Sequence, residues 1–129
     1  MTPGGIITTV TGNGSDITSG DDGPASLAAL RQPTDVALDA SGRLFIADEN
    51  AGRVRRVDSD GTIHTVVGRG TNGSLGDGGP ADLAEVSWPT SVELDASGNL
   101  YLVDSCFGRI RKVAGAAAAV PAIASPGAP

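Results

Sequence analysis

The chain has 129 residues, enough for one modest domain, and a net charge of −6 that argues against a sequence-independent grip on nucleic acid or anionic lipid. Its 19 glycines and its aromatic content of only 3% suit short strands joined by tight turns better than a helical bundle. No apolar run approaches the roughly 18 residues that a membrane span needs, and the single cysteine, Cys106, cannot form an internal disulfide.

Residues 1–4 form an N-terminal extension without the basic and then apolar regions of a signal peptide. The chain is therefore expected in the cytoplasm, or outside it as an internal piece of a longer exported protein. Ile6 to Thr11 is short and β-branched, closed by Gly12 and Gly14, and reads as a strand. A loop rich in Gly, Ser and Asp follows. Pro24 then opens Ala25–Leu30 as a single helical turn, which Pro33 stops. Asp35–Leu38 and Leu44–Ala47 are apolar runs joined by Asp39-Ala40-Ser41-Gly42, a tight hairpin with glycine available for positive φ. Arg53–Val57 is a further strand, and Ser59-Asp60-Gly61 turns the chain into Thr62–Val67.

The same order then repeats. Gly5–Asp60 lies over Gly61–Ala116 without a gap, at a period of about 56 residues and roughly half identity. Pro33-Thr34 falls on Pro89-Thr90, and Leu38-Asp39-Ala40-Ser41-Gly42 on Leu94-Asp95-Ala96-Ser97-Gly98. Asp48 falls on Asp104, and Gly52-Arg53 on Gly108-Arg109. The chain divides into two repeats, 5–60 and 61–116, and an Ala/Pro-rich tail or linker, 117–129, expected to be disordered. Leu44-Phe45-Ile46-Ala47 and Tyr101-Leu102-Val103 are continuous apolar runs, as in a sheet covered on both faces. Each blade of a β-propeller is covered in that way by its neighbours.

Several segments resemble bacterial NHL repeats: Gly5-Ile6-Ile7-Thr8-Thr9-Val10, Gly20-Asp21-Asp22-Gly23-Pro24-Ala25, Val36 to Asp48, and Arg53-Val54-Arg55-Arg56-Val57. In the second copy the matching segments are Gly76 to Ala81, Gly98 to Asp104, and Arg109-Ile110-Arg111-Lys112-Val113. The resemblance implies an all-β fold, a partial β-propeller of two four-stranded antiparallel blades with a short helical turn in each inter-blade loop. It also implies that Ile6–Val10 is the outermost strand of a preceding blade. The second blade then lacks its outer strand, which the N-terminal strand or a neighbouring chain would supply. Closed rings need roughly 4–8 blades, so the chain is read either as a fragment or as a unit that assembles head to tail, three copies giving six blades. Ala51 and Phe107 depart from the family's usual asparagine, and Asp35 and Ser91 from its usual glycine.

Asp16, Asp21, Asp22 and Asp77 lie among glycines, as calcium ligands do, but their spacing matches no EF-hand, and their expected duty is to cap the helical turns. Asp48 and Asp104 end equivalent strands, with Arg53, Arg55, Arg109 and Arg111 shortly after. A carboxylate repeated in each blade is expected to accept turn amides or an arginine, as architecture and not as a catalytic group. His64 has no partners for a zinc site, and Cys106 has no evident activating base. No metal or cofactor is expected. Trp88 and Phe107 replace Gln32 and Ala51 of the first copy and are the candidate binding anchors, with inter-blade gap filling as their alternative duty.

The family resemblance implies a non-catalytic module that binds or scaffolds a protein or peptide. The alternative is a fragment of a propeller enzyme, lyase- or hydrolase-like, whose site residues lie in other blades. Nucleic-acid and membrane partners are not expected of this acidic chain.

Overall fold

The computed structural model describes residues 4–71 and 73–119. Residues 1–3 of the extension and 120–129 of the tail lie outside the described residues.

Each repeat starts its sheet from a hairpin closed by an aspartate. Asp39 Oδ1 accepts the amides of Ser41 and Arg43, and Asp95 Oδ1 those of Ser97 and Asn99. A short side chain that bonds its own turn in this way holds the bend. Gly42 and Gly98 take the positive φ at its end (81° and 83°). The flanking apolar runs pair as β1 (Pro33–Leu38) with β2 (Leu44–Asp48), and as β5 (Pro89–Leu94) with β6 (Leu100–Asp104). The strand β3 (Arg53–Val57) adds to β2, and β7 (Arg109–Val113) adds to β6. Only the first repeat continues, through β4 (Ile63–Val67), to a sheet of order β1-β2-β3-β4. The second stops at β5-β6-β7.

These sheets are two adjacent blades, with a core between them. Phe45, Ala47, Val54 and Val67 of blade 1 meet Val86, Val92, Leu100 and Leu102 of the second repeat. Burying each such side chain contributes roughly 1.5–3 kcal/mol, so the junction is the main apolar store of the fold. A smaller cluster lies on the far face of blade 1, where Ile46, Val57 and Ile63 are roofed by Ala25 and Ala28. The roof is backbone-bonded to β4: Ile63 donates to Gly23 and accepts from Asp22, and Ala25 donates to Gly61.

Three expectations need correction. Ile6–Thr11 is not a strand in this chain: residues 4–10 are exposed and pair with no strand among the described residues, with Ile7 at 96% exposure. The N-terminal segment therefore does not complete blade 2. It is tethered to the roof of blade 1, through Thr11 Oγ1 donating to the Ala25 carbonyl, while the open edge belongs to the other blade. The helical turns are shorter than Ala25–Leu30, being 3₁₀ turns at Ala25–Leu27 and Ala81–Leu83, with Pro24 and Pro80 just outside as N-caps. Neither turn carries a side-chain cap. Asp21 and Asp77, read as caps, bind arginines instead, because a buried guanidinium needs a carboxylate more than an exposed turn does.

Candidate functional site

Asp48 and Asp104 are fully buried where β2 and β6 end. Asp48 Oδ1 accepts both the Arg31 and the Gln32 amides, at 3.1 and 2.8 Å, which pins the chain entering β1. Asp104 holds the equivalent place but among the described residues accepts only the Ser87 amide, at 3.2 Å. The residue in the slot of Gln32 is Trp88, and its backbone is left-handed, with φ 56°. Asp104 Oδ2 has no hydrogen bond among the described residues; it lies 3.5 Å from Arg111 Nη1 and 3.8 Å from Arg109 Nη2.

The backbone of Trp88 is locked on both sides. Ser87 is buried, its hydroxyl donates to the Gly73 carbonyl, and it accepts the Gly73 amide. The Trp88 carbonyl accepts both the amide and the hydroxyl of Ser105, the latter at 2.8 Å. Ser105 opens a 3₁₀ turn, Ser105–Phe107, so Phe107 and Trp88 sit on directly bonded segments at one end of blade 2. Both aromatic side chains are half exposed. At the same end of blade 1 a cleft of about 450 Å³ is lined by Asp16, Thr18, Arg31, Asn50 and Arg53. Thr18 Oγ1 and Arg53 Nε, buried atoms of two residues that line this cleft, have no hydrogen-bond partner among the described residues.

The arginines of β3 and β7 do a different job. Arg55 is wholly buried and donates to the Ala29 and Ser19 carbonyls and, from Nε and Nη2, to Asp21 Oδ1. Arg111 repeats this with the Glu85 carbonyl and Asp77 Oδ1. Arg53 and Arg109 stand 3.7 and 3.6 Å from the same two aspartates. Each blade thus ties its loop to its third strand by a guanidinium whose Nε and Nη2 both donate to one carboxylate oxygen, a charge-assisted contact. Sequence reading grouped these arginines with Asp48 and Asp104; Arg55 is committed to Asp21, while Arg111 binds Asp77 and only approaches Asp104.

Sequence reading missed Asp35 as a junction residue. It accepts the Ser91 hydroxyl and the Val92 amide, both at 2.9 Å, and the Val92 bond is the largest cause holding its carboxyl below the usual range. The signal was present: Asp35 and Ser91 are the two positions that depart from glycine. His64 lies between Asp22 and Asp58, 2.8 and 3.2 Å away. Among the described residues no group of three His, Cys, Asp or Glu side chains is placed to hold a metal ion. Cys106 is an exposed free thiol beside Phe107.

The model of the Teneurin NHL domain family matches residues 10–75. Teneurin-1 of Gallus gallus is 30% identical over 94 residues, which cover 67% of this chain and 3% of that protein. Among solved structures, a Bacteroides thetaiotaomicron protein of unknown function superposes with a TM-score of 0.73 at 24% identity, over 81% of this chain and 26% of its own. An auxiliary nutrient binding protein from Bacteroides ovatus does so with a TM-score of 0.62 at 23% identity, over 76% and 26%. The chain thus spans a small part of the curated relative and about a quarter of each solved chain, and the fold is that of NHL-type propeller blades.

Proposed function

We propose that this chain, which belongs to the Teneurin NHL domain family, is a non-catalytic binding module that takes a protein or peptide segment on the end of its blades where Trp88 and Phe107 lie. The observation that carries this reading is the left-handed backbone of Trp88. A large residue in that region costs about 1–2 kcal/mol, and such strain gathers at ligand clamps and other functional positions. Here it accompanies a half-exposed indole on a segment bonded to the turn that carries a half-exposed phenyl ring. Tryptophan in particular supplies much of the energy of protein interfaces. The neighbouring cleft is lined by the polar and charged side chains of Asp16, Arg31 and Asn50, so a segment with an apolar side chain and an adjacent polar group fits the pair of sites.

A binding role also suits the fate of the carboxylates. Asp48 and Asp104 are buried under backbone and hold structure in both repeats, out of reach of a substrate. The nutrient binding protein among the structural neighbours is consistent with a binding use of such blades.

Peptide display against the purified chain tests the proposal, with the fluorescence of the only tryptophan reporting capture. Selected peptides should shift the Trp88 emission, and Phe107→Ala should weaken them about tenfold or more, on the scale of a hot spot. Displayed peptides that are captured by Phe107→Ala and by Trp88→Gly as well as by the parent chain overturn it.

A further inference from the structure

The internal junction between the two blades shows what each blade face needs, and the chain's two outer faces lack it. Val54 on the forward face of blade 1 is 0% exposed against blade 2, whereas Ile110, in its slot on blade 2, is 67% exposed. On the rear face of blade 2, Val92 is 5% exposed, whereas Val36, its counterpart on blade 1, is 56% exposed. Leu38 is exposed on the same strand, whereas its counterpart Leu94 packs against the core of the junction. The chain therefore carries one copy of each half of its own junction, unburied, at opposite ends.

The outer edge of β7 is also unfilled among the described residues, and the shape left there matches a segment of this sequence. A groove of about 400 Å³ runs between β7 and the loop Gly76–Ala84, with Ala81, Ala84, Leu102, Arg111 and Val113 on its walls. In blade 1 the same positions are Ala25, Ala28, Ile46, Arg55 and Val57, and they enclose Ile63 of β4. Residues 5–11 are the first copy of the β4 sequence, with Ile7 in the slot of Ile63, Thr8 in that of His64 and Thr9 in that of Thr65. The Gly78 and Ala81 amides, whose counterparts Asp22 and Ala25 donate to Ile63 and Gly61, have no partner among the described residues. Asp21 Oδ2 accepts the Thr65 hydroxyl, whereas Asp77 Oδ2 is free to take that of a threonine in the same slot. The chain after β7 does not take this place: Ala117 donates to the Gly98 carbonyl and Ala118 to Asp39 Oδ2, at the hairpin turns.

We infer that a second copy of this chain fills the groove: its residues 5–11 add to β7 as a fourth strand while its blade 1 seats on the forward face of blade 2. The pairing follows blade 1, where Arg55 meets Thr65, Arg56 meets His64 and Val57 meets Ile63. It sets Arg111 opposite Thr9, Lys112 opposite Thr8 and Val113 opposite Ile7 of the incoming copy. Such a contact is head to tail, and it closes when the copies complete a ring. Two to four copies give the roughly 4–8 blades of closed propellers.

Light scattering of the 129-residue chain at tens of micromolar, with and without Thr8→Pro, tests this. Ile63 spends its amide and carbonyl on the loop, so in an alternating strand His64 faces β3 and Thr8 faces β7. Proline there removes the donor aimed at β7, and residues 4–10 lie free of the fold in a single chain, so folding is not at stake. A discrete mass of two to four chains that falls to one with Thr8→Pro is the expected result. Oxidised Ile7→Cys/Val113→Cys, made with Cys106→Ser, should then lock the same number of chains together and no more. A monomer in the parent chain overturns the inference, and so does an association that Thr8→Pro leaves intact.

Discussion

Asp35 and Ser91 occupy the same slot of successive repeats, 56 residues apart, and hydrogen-bond each other across the blade junction. The bond exists because the two adjacent blades bring equivalent positions of β1 and β5 side by side. The carboxylate also takes the amide of Val92, a nearly buried residue. Asp35→Ala leaves that amide without an acceptor, which costs about 1–3 kcal/mol. Denaturant unfolding should show a loss in that range, with Ser91→Ala losing less, since the Val92 bond survives.

The same carboxylate makes the junction sensitive to acid. Its folded pKa is lowered, chiefly by the Val92 amide, from an unfolded value of about 3.9. The stabilisation is therefore present above about pH 4 and disappears as pH falls through the lower folded value. Thermal unfolding from pH 6 down to pH 2.5 should show the parent chain losing its advantage over Asp35→Asn, whose amide oxygen still accepts but does not titrate. A gap that stays constant with pH contradicts this account.

Arg55 and Arg111 share the carboxylate clasp and one carbonyl bond, Arg55 adding the Ser19 carbonyl, and their surroundings differ. Arg55 is enclosed by the loop and by β4; Arg111 lines the open groove. Removing one partner of a buried ion pair costs about 3–5 kcal/mol, against about 0–1 for an exposed pair. Arg55→Met should destabilise the single chain by about 3 kcal/mol and Arg111→Met by about 1, measured by urea midpoints at unchanged slope. Equal losses would mean that β4 adds nothing to the desolvation of the pair.

Much of this architecture was legible from spacing. The repeat at about 56 residues, the Asp-Ala-Ser-Gly hairpins and the unbroken apolar runs of β2 and β6 are local patterns, and they fixed the blades and their hairpins. What local patterns could not show is where a strand finds its partner. Ile6–Thr11 has strand composition, yet strands exist only by pairing, and this one pairs with no strand among the described residues. The arginine clasps escaped for a related reason. Arg55 and Asp21 are 34 residues apart, and their meeting depends on the loop folding back over the sheet. The aromatic pair at Trp88 and Phe107 was visible as a substitution against the repeat, but the left-handed backbone was not, since a residue before proline is expected in the extended region.

That backbone gives Trp88 an unusual order of replacements. At an ordinary position Ala is more stable than Gly, which loses more conformational freedom on folding. At φ 56° the order reverses, because a Cβ costs about 1–2 kcal/mol there. Trp88→Gly should therefore be more stable than Trp88→Ala by about 1 kcal/mol, a comparison in which the lost indole contacts cancel. Calorimetry of the two variants decides it, and an Ala variant at least as stable as Gly would remove the strain on which the binding proposal rests.

Gly52 and Gly108 end equivalent turns with φ 64° and 61°, and they separate conformation from contact. A Cβ on Gly52 would lie 2.8 Å from the Val86 carbonyl oxygen of the adjoining repeat, while one on Gly108 would meet nothing within 4 Å. Gly108→Ala should cost only the left-handed backbone, about 1–2 kcal/mol, and Gly52→Ala distinctly more, because a backbone oxygen must move. The comparison changes if copies assemble. The neighbour's blade 1 would bring its Leu30 carbonyl, the counterpart of Val86, against Gly108, and Gly108→Ala would then weaken association as Gly52→Ala weakens the fold. Gly108→Ala should thus leave the melting of an isolated Thr8→Pro chain only slightly lowered while reducing the mass of the parent assembly at micromolar concentration. An assembly indifferent to Gly108→Ala would mean that copies meet through some other face.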